Sequence, residues 1–231
     1  MMHKKLGLSK HAFSLDARKT VDELVKDEEH ARDLLYWVES ESIVLLKGPV
    51  NSGKTRLAFE VVENYKGEGR VVYLDLDTYN RDVDIGHLLI ANQSFLRRFF
   101  NKMPRDMILI LDNISELSDD FFKRVQYYFD QGYIKSVVLV KKDGVDLSLP
   151  DSVWSRIGNK VIELKAFSKA EALELAGDRL GKYFNKNQLE LLWKHSGDLE
   201  SLFGVAELVL EEYLRLGKKK LDVKFIEKVL K

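Results

Sequence analysis

Gly48-Pro49-Val50-Asn51-Ser52-Gly53-Lys54-Thr55 decides the fold. The stretch matches G-x-x-x-x-G-K-[ST] in full, and both flanks fit the match. Ile43 to Lys47 is a short apolar run that reads as a buried strand, while Leu57, Ala58, Val61, Val62 and Tyr65 recur beyond it at helical spacing. A loop with a glycine at each end can wrap a triphosphate with backbone amides, and the following helix adds free N-terminal amides and the positive end of its dipole. Lys54 is placed to reach the terminal phosphates, and the Thr55 hydroxyl to ligate magnesium. The alternative is an ordinary strand–turn–helix that carries a Gly-Lys pair by chance.

Working outward, strands and helices alternate. Arg70 to Leu76 reads as a strand and Ile85 to Met103 as largely helical. Met107-Ile-Leu-Ile-Leu-Asp112 is almost continuously apolar, as a strand must be when both faces of a parallel sheet are covered. Ser118 is expected to cap a helix ending at Gln131-Gly132. Ser136 to Val140 and Val161 to Leu164 supply two further strands. This order predicts an α/β fold, a P-loop NTPase with a doubly wound parallel sheet. After Leu164 the strand pattern stops. Ser168-Lys-Ala-Glu171 is a capping-box match, and helical patterns follow over 172–180, 187–195, 202–216 and 222–230. The expected domains are therefore 1–165, an ATP-binding α/β domain with an N-terminal helical segment, and 166–231, a small all-α domain.

Composition narrows the class. The chain has 231 residues, 45% of them hydrophobic, with 37 basic and 37 acidic side chains and no cysteine. The hydrophobic content excludes a disordered chain. Zero formal charge removes the usual argument for non-specific nucleic-acid or anionic-membrane binding. The absence of cysteine excludes disulfides, a thiolate nucleophile and cysteine-ligated metal centres. The apolar runs are strand-sized, well short of the ~20 residues of a membrane helix, and the N-terminus lacks a signal-peptide core. These features point to a soluble, cytoplasmic protein.

Asp112 closes the most apolar strand, where a carboxylate is poised to hold a magnesium-bound water beside the phosphate loop; alternatively it simply begins a turn. An entire strand–helix unit separates the loop from this strand, the order of ATPase-type folds in which another strand lies between the two motifs. Asp75 and Asp77 alternate with Leu74 and Leu76, near the carboxyl end of the sheet where ligands bind. They either touch magnesium or substrate or form a polar strand terminus.

Together these residues resemble the AAA+ ATPases, and above all the archaeal ATPases related to origin-recognition and initiator proteins, along with the signal-transduction NTPases that share their core. The resemblance implies that Leu24-Val25-Lys-Asp-Glu-Glu29 closes over adenine, with Val25 among the nucleotide contacts that otherwise run from Gly48 through Pro49, Val50, Asn51, Ser52, Gly53, Lys54 and Thr55 to Arg56. It makes Asp112 the Walker B aspartate and puts Lys141-Lys-Asp143 at the polar tip of the sensor-1 strand. It also makes Ser155-Arg156 the element that offers an arginine finger to a neighbouring subunit, although Arg156 reads equally well as a surface ion-pair partner. The helical tail takes the place of the AAA+ lid, with Ser196-Gly-Asp-Leu-Glu200 at the sensor-2 turn.

Two departures matter. The family usually has Asp-Glu at the end of the Walker B strand, whereas this chain has Asp112-Asn113, and an amide cannot accept the proton of an attacking water. Glu116 would compensate only if its loop turned back. Glu200 stands where the sensor-2 arginine is expected. The implied protein uses ATP and Mg2+, with Lys54, Asp112, Asn113 and Arg156 as catalytic positions and Thr55 and Asp112 as metal ligands. It is expected to be an ATPase or ATP-dependent switch whose hydrolysis is slow or dependent on a partner. The competing readings are a nucleotide-bound adaptor with negligible turnover and a small-molecule kinase. The expected partners are a second copy of the chain or another protein; DNA follows from the resemblance alone, and no membrane is implied.

Overall fold

Strict alternation within β1 (Ile43–Lys47) sends Ile43 and Leu45 to one face and Val44 and Leu46 to the other, and all four are buried. A strand buried on both faces needs helices on both sides. The computed structural model describes residues 6–16, 28–78, 84–91, 103–115, 117–218 and 220–230, and provides them. Helix α1 (Glu28–Glu39) and α2 (Lys54–Asn64) cover one face, through Leu34, Val38, Leu57, Ala58 and Val61. The opposite face receives α3 (Ile85–Ala91), α4 (Asp119–Asp130) and α5 (Asp151–Ile157), through Leu89, Phe121, Phe122, Val125 and Val153.

Between the helical layers lie β1, β2 (Val71–Asp75), β3 (Met107–Ile114), β4 (Ile134–Lys141) and β5 (Val161–Glu163). The spatial order is β2-β3-β4-β1-β5, with every pairing parallel. Strand β4 thus separates β1 from β3, as the order of motifs in the sequence requires. Two boundaries differ from expectation. Strand β2 ends at Asp75, so Asp77 lies in the turn beyond it, and β3 continues past Asp112 through Asn113 to Ile114 across a register irregularity. The short α5, between Pro150 and Gly158, carries too few residues for a periodic signal and was not anticipated.

By its internal contacts the chain divides between Lys165 and Ala166. The second unit contains α6 (Lys169–Leu180), α7 (Lys186–Ser196), α8 (Leu199–Arg215) and α9 (Val223–Val229). Ser168 and Glu171 form the expected capping box on α6, and Asn185 with Gln188 forms another on α7. Grouping of the first residues departs from the expected 1–165 domain. Residues 6–16 belong with the helical unit, because Leu6 and Ala12 are buried in its core beside Leu180, Phe184 and Phe203. Polar contacts hold the segment as well: the Leu6 carbonyl accepts from Lys182 Nζ (3.2 Å) and the Tyr183 hydroxyl, and the Ser14 carbonyl accepts from Arg179 (2.6 Å).

Leu6→Ala is expected to cost about 2–4 kcal/mol in the helical unit, as large-to-small changes in a packed core do. Hydrogen exchange under native conditions should show faster exchange in 169–226 and unchanged protection in β1, β3 and β4. Equal loosening of the strands would contradict this packing.

Candidate nucleotide-binding site

The loop from Gly48 to Gly53 takes a path that most side chains would obstruct. Gly48 has φ of 148°, and a Cβ there would lie 2.5 Å from the Leu164 carbonyl oxygen. Asn51 (φ 56°) and Gly53 (φ 94°) are also left-handed, and Gly53 begins α2 without any side-chain cap. The first amides of α2 are thus left for another acceptor, the arrangement that suits an anion at a helix N-terminus. The buried Ser52 hydroxyl likewise has no hydrogen-bond partner among the described residues. Asp143, in the segment after β4, accepts from the Val50 amide at 3.0 Å.

Lys54 curls back over this loop. Its ammonium donates to the carbonyls of Gly48 and Pro49, both at 2.8 Å. Burial lowers its pKa below the ordinary lysine value, while the charges of Asp143 and Asp112 oppose that shift. A neighbouring phosphate would favour the charged form further.

Asp112 is completely buried. Its Oδ2 accepts from the Thr55 hydroxyl at 2.9 Å and from the Tyr73 hydroxyl at 2.6 Å, while Oδ1 accepts from the Asn113 amide at 2.8 Å. A buried carboxylate requires such donors. Position follows from the sheet. Tyr73 and Ile110 are register partners, and Asp75 and Asp112 are the next same-face pair, so both acids lie on the face covered by α2. Thr55 then reaches Asp112 from the first turn of that helix. The pair offers hard oxygen donors next to a phosphate-shaped loop, the donor set that suits magnesium, which keeps waters and phosphate oxygens as its remaining ligands.

The Asn113 side chain, unlike its backbone N–H, turns away from Asp112. The left-handed backbone (φ 59°) and the register irregularity between Leu111 and Ile114 direct its amide to Asp75 Oδ1, at 2.9 Å. Asp77 does not join Asp75 as a second carboxylate; it pairs with Lys142 at 2.7 Å. Arg56 pairs with Glu60 along α2, at 2.5 Å. Arg156 is remote from the loop: it pairs with Asp130, at 2.8 Å, and lies over the Phe129 ring. Asp130 ends α4, so this pair sits at the edge where the strands begin, opposite the edge bearing the phosphate loop. Glu200 occupies the first turn of α8, after the Asp198 cap. Val25 and Glu116 lie outside the described residues.

Tyr73 and the Asp143 contact escaped the sequence reading. The only sequence signal for Tyr73 was its place two residues before Asp75, on the same face of a buried strand. Asp143 is legible only as part of the polar tip after β4; its partner, a backbone amide 93 positions away, leaves no sequence signal.

Residues 40–141 match the family model described as the AAA domain. No curated protein sequence matches at a significant level. Among solved structures, the chain is similar to Cdc6p from Pyrobaculum aerophilum, with a TM-score of 0.71 and 18% identity over 96% of this chain and 70% of that one. It is also similar to the ORC1 protein of Aeropyrum pernix, solved in complex with DNA (TM-score 0.69, 14% identity, 95% and 68% covered). A RuvB mutant from Thermotoga maritima follows, with a TM-score of 0.64 and 18% identity over 92% of this chain and 71% of that one. The chain has the fold of the AAA+ P-loop ATPases. Among the described residues no helix is long and apolar enough to cross a membrane.

Tyr73→Phe removes one of the two hydroxyl donors from a buried carboxylate oxygen. A loss of about 1–3 kcal/mol is expected in denaturant unfolding; an unchanged midpoint would mean that the hydroxyl contributes nothing to Asp112.

Proposed function

We propose that this chain binds ATP with magnesium on the loop from Gly48 to Thr55 and works as an ATP-dependent switch with slow or partner-completed hydrolysis. The reading rests on one arrangement above all: Lys54 poised on the loop carbonyls while Thr55 hydrogen-bonds the buried Asp112. Phosphate oxygens are charged acceptors and bind an ammonium more strongly than neutral carbonyls do, so Lys54 exchanges Gly48 and Pro49 for the nucleotide. The amides at the start of α2, which no side chain caps, take the inner phosphates. Thr55 and Asp112 would hold a magnesium ion, which would neutralise phosphate charge.

Position 113 carries no group that can take a proton from water, so turnover is slow unless another group serves as the base. Arg156 lies too far from its own loop to act there, so it serves a neighbouring subunit if it serves ATP at all. That requirement makes the active species an oligomer or a complex, in the cytoplasm. The residues Asn113 and Glu200, where the resemblance expects an acid and an arginine, favour a second reading, a nucleotide-bound adaptor whose turnover is negligible. DNA enters as a partner class through the resemblance to DNA-bound initiators, and the zero formal charge adds no support of its own.

Titration with labelled ATP tests the core of this proposal. Wild type should bind in a magnesium-dependent manner, and Lys54→Ala should weaken binding at least tenfold, about 1.4 kcal/mol. Phosphate release per subunit should rise with protein concentration and lose that rise in Arg156→Ala. Constant specific activity would remove the trans arginine, tight binding without release would favour the adaptor, and absence of binding would refute the whole reading.

A further inference from the structure

Asp75 ends β2 beside Asp112. Register pairs it with Asp112, and strand alternation puts both on the face of the sheet that lies under α2 and its phosphate loop. Adjacent parallel strands run about 4.8 Å apart, so the two acids are lateral neighbours at the carboxyl edge of the sheet. Their surroundings differ. Asp112 is sealed from solvent and committed to Thr55 and Tyr73, whereas Asp75 is only half-buried. Asp75 Oδ1 accepts from the Asn113 side-chain amide at 2.9 Å and from the Asp77 amide at 3.2 Å, which fixes the direction of the carboxylate. Asn113 reaches it only because its backbone is left-handed at an irregularity in β3.

We infer that Asp75 is the general base for ATP hydrolysis and that Asn113 is its positioning residue, an acid and amide exchanged between neighbouring strands. The inference rests on the nucleotide reading above. In the step it performs, the oxygen of a water attacks the γ-phosphorus while one water proton passes to Asp75. The bond from the γ-phosphorus to the oxygen bridging it to the β-phosphate breaks, and ADP leaves with that electron pair. The proton on Asp75 then passes to solvent, to which this half-buried side chain has access.

Asp75→Asn keeps the shape of the side chain and an oxygen able to accept from Asn113. It should leave magnesium-dependent ATP binding within about twofold of wild type and lower kcat by about 100-fold or more, the usual range for loss of a general base. Asn113→Glu should also lower turnover, since it replaces the amide donor with a second carboxylate against Asp75. The exchanged double variant, Asp75→Asn with Asn113→Asp, should recover part of the loss by returning a carboxylate to the pair. Four outcomes would overturn the inference: unchanged kcat in Asp75→Asn; a loss in that variant that excess magnesium repairs, which would make Asp75 a metal ligand; a gain in turnover for Asn113→Glu; or a wild type that binds ATP and releases no phosphate. Each leaves nucleotide binding intact. Failure of wild type to bind ATP is the separate result that removes the nucleotide reading and this inference with it.

Discussion

A fully buried carboxylate with two hydroxyl donors on one oxygen organises this molecule. Asp112 lies at the end of β3, where removal from water would be prohibitive without Thr55, Tyr73 and the Asn113 amide around it. Each donor comes from a different element. Thr55 belongs to the first turn of α2, Tyr73 to the neighbouring strand and Asn113 to the bulge in β3 itself. Satisfying one acid therefore fixes the start of the helix behind the phosphate loop, the β2–β3 register and the local path of β3. A hydrophobic core alone tolerates small sliding of its parts, but a buried carboxyl group with directional hydrogen bonds does not.

The same edge of the sheet shows how a loop prepares for an anion before one arrives. Gly48 passes under the Leu164 carbonyl, Gly53 leaves the first amides of α2 without a side-chain cap, and Lys54 rests on the carbonyls that a phosphate would displace. Asp143 holds the loop from the far side through the Val50 amide. Most of the orienting cost of binding is thus met by the fold itself, which is what makes a backbone cradle effective.

Two carboxylates next to each other, with an amide where the AAA+ pattern has an acid, give the site an unusual division of labour. Asp112 is enclosed and suited to a metal, while Asp75 is half-open and oriented by Asn113. Arg156, paired with Asp130 at the opposite edge, is available to no group on its own loop.

The sequence by itself determined the phosphate loop, the five strands, the end of the α/β region near residue 165 and the helical remainder. These are local signals: periods of two and 3.6 residues, glycines at turns and caps at helix starts, all legible within a dozen positions. It also exposed the Asp112-Asn113 departure, because a missing acid is visible without coordinates. Only the tertiary structure decided what surrounds those residues. Tyr73 meets Asp112 because two strands distant in sequence share a register, and Asn113 meets Asp75 because a left-handed residue redirects its side chain. Leu6 joins the helical unit through a hydrophobic contact with residues more than 160 positions away, and Asp77 leaves its strand to pair with Lys142. Long-range pairing leaves no periodic trace in a single sequence, since either partner alone is an ordinary tyrosine, leucine or aspartate.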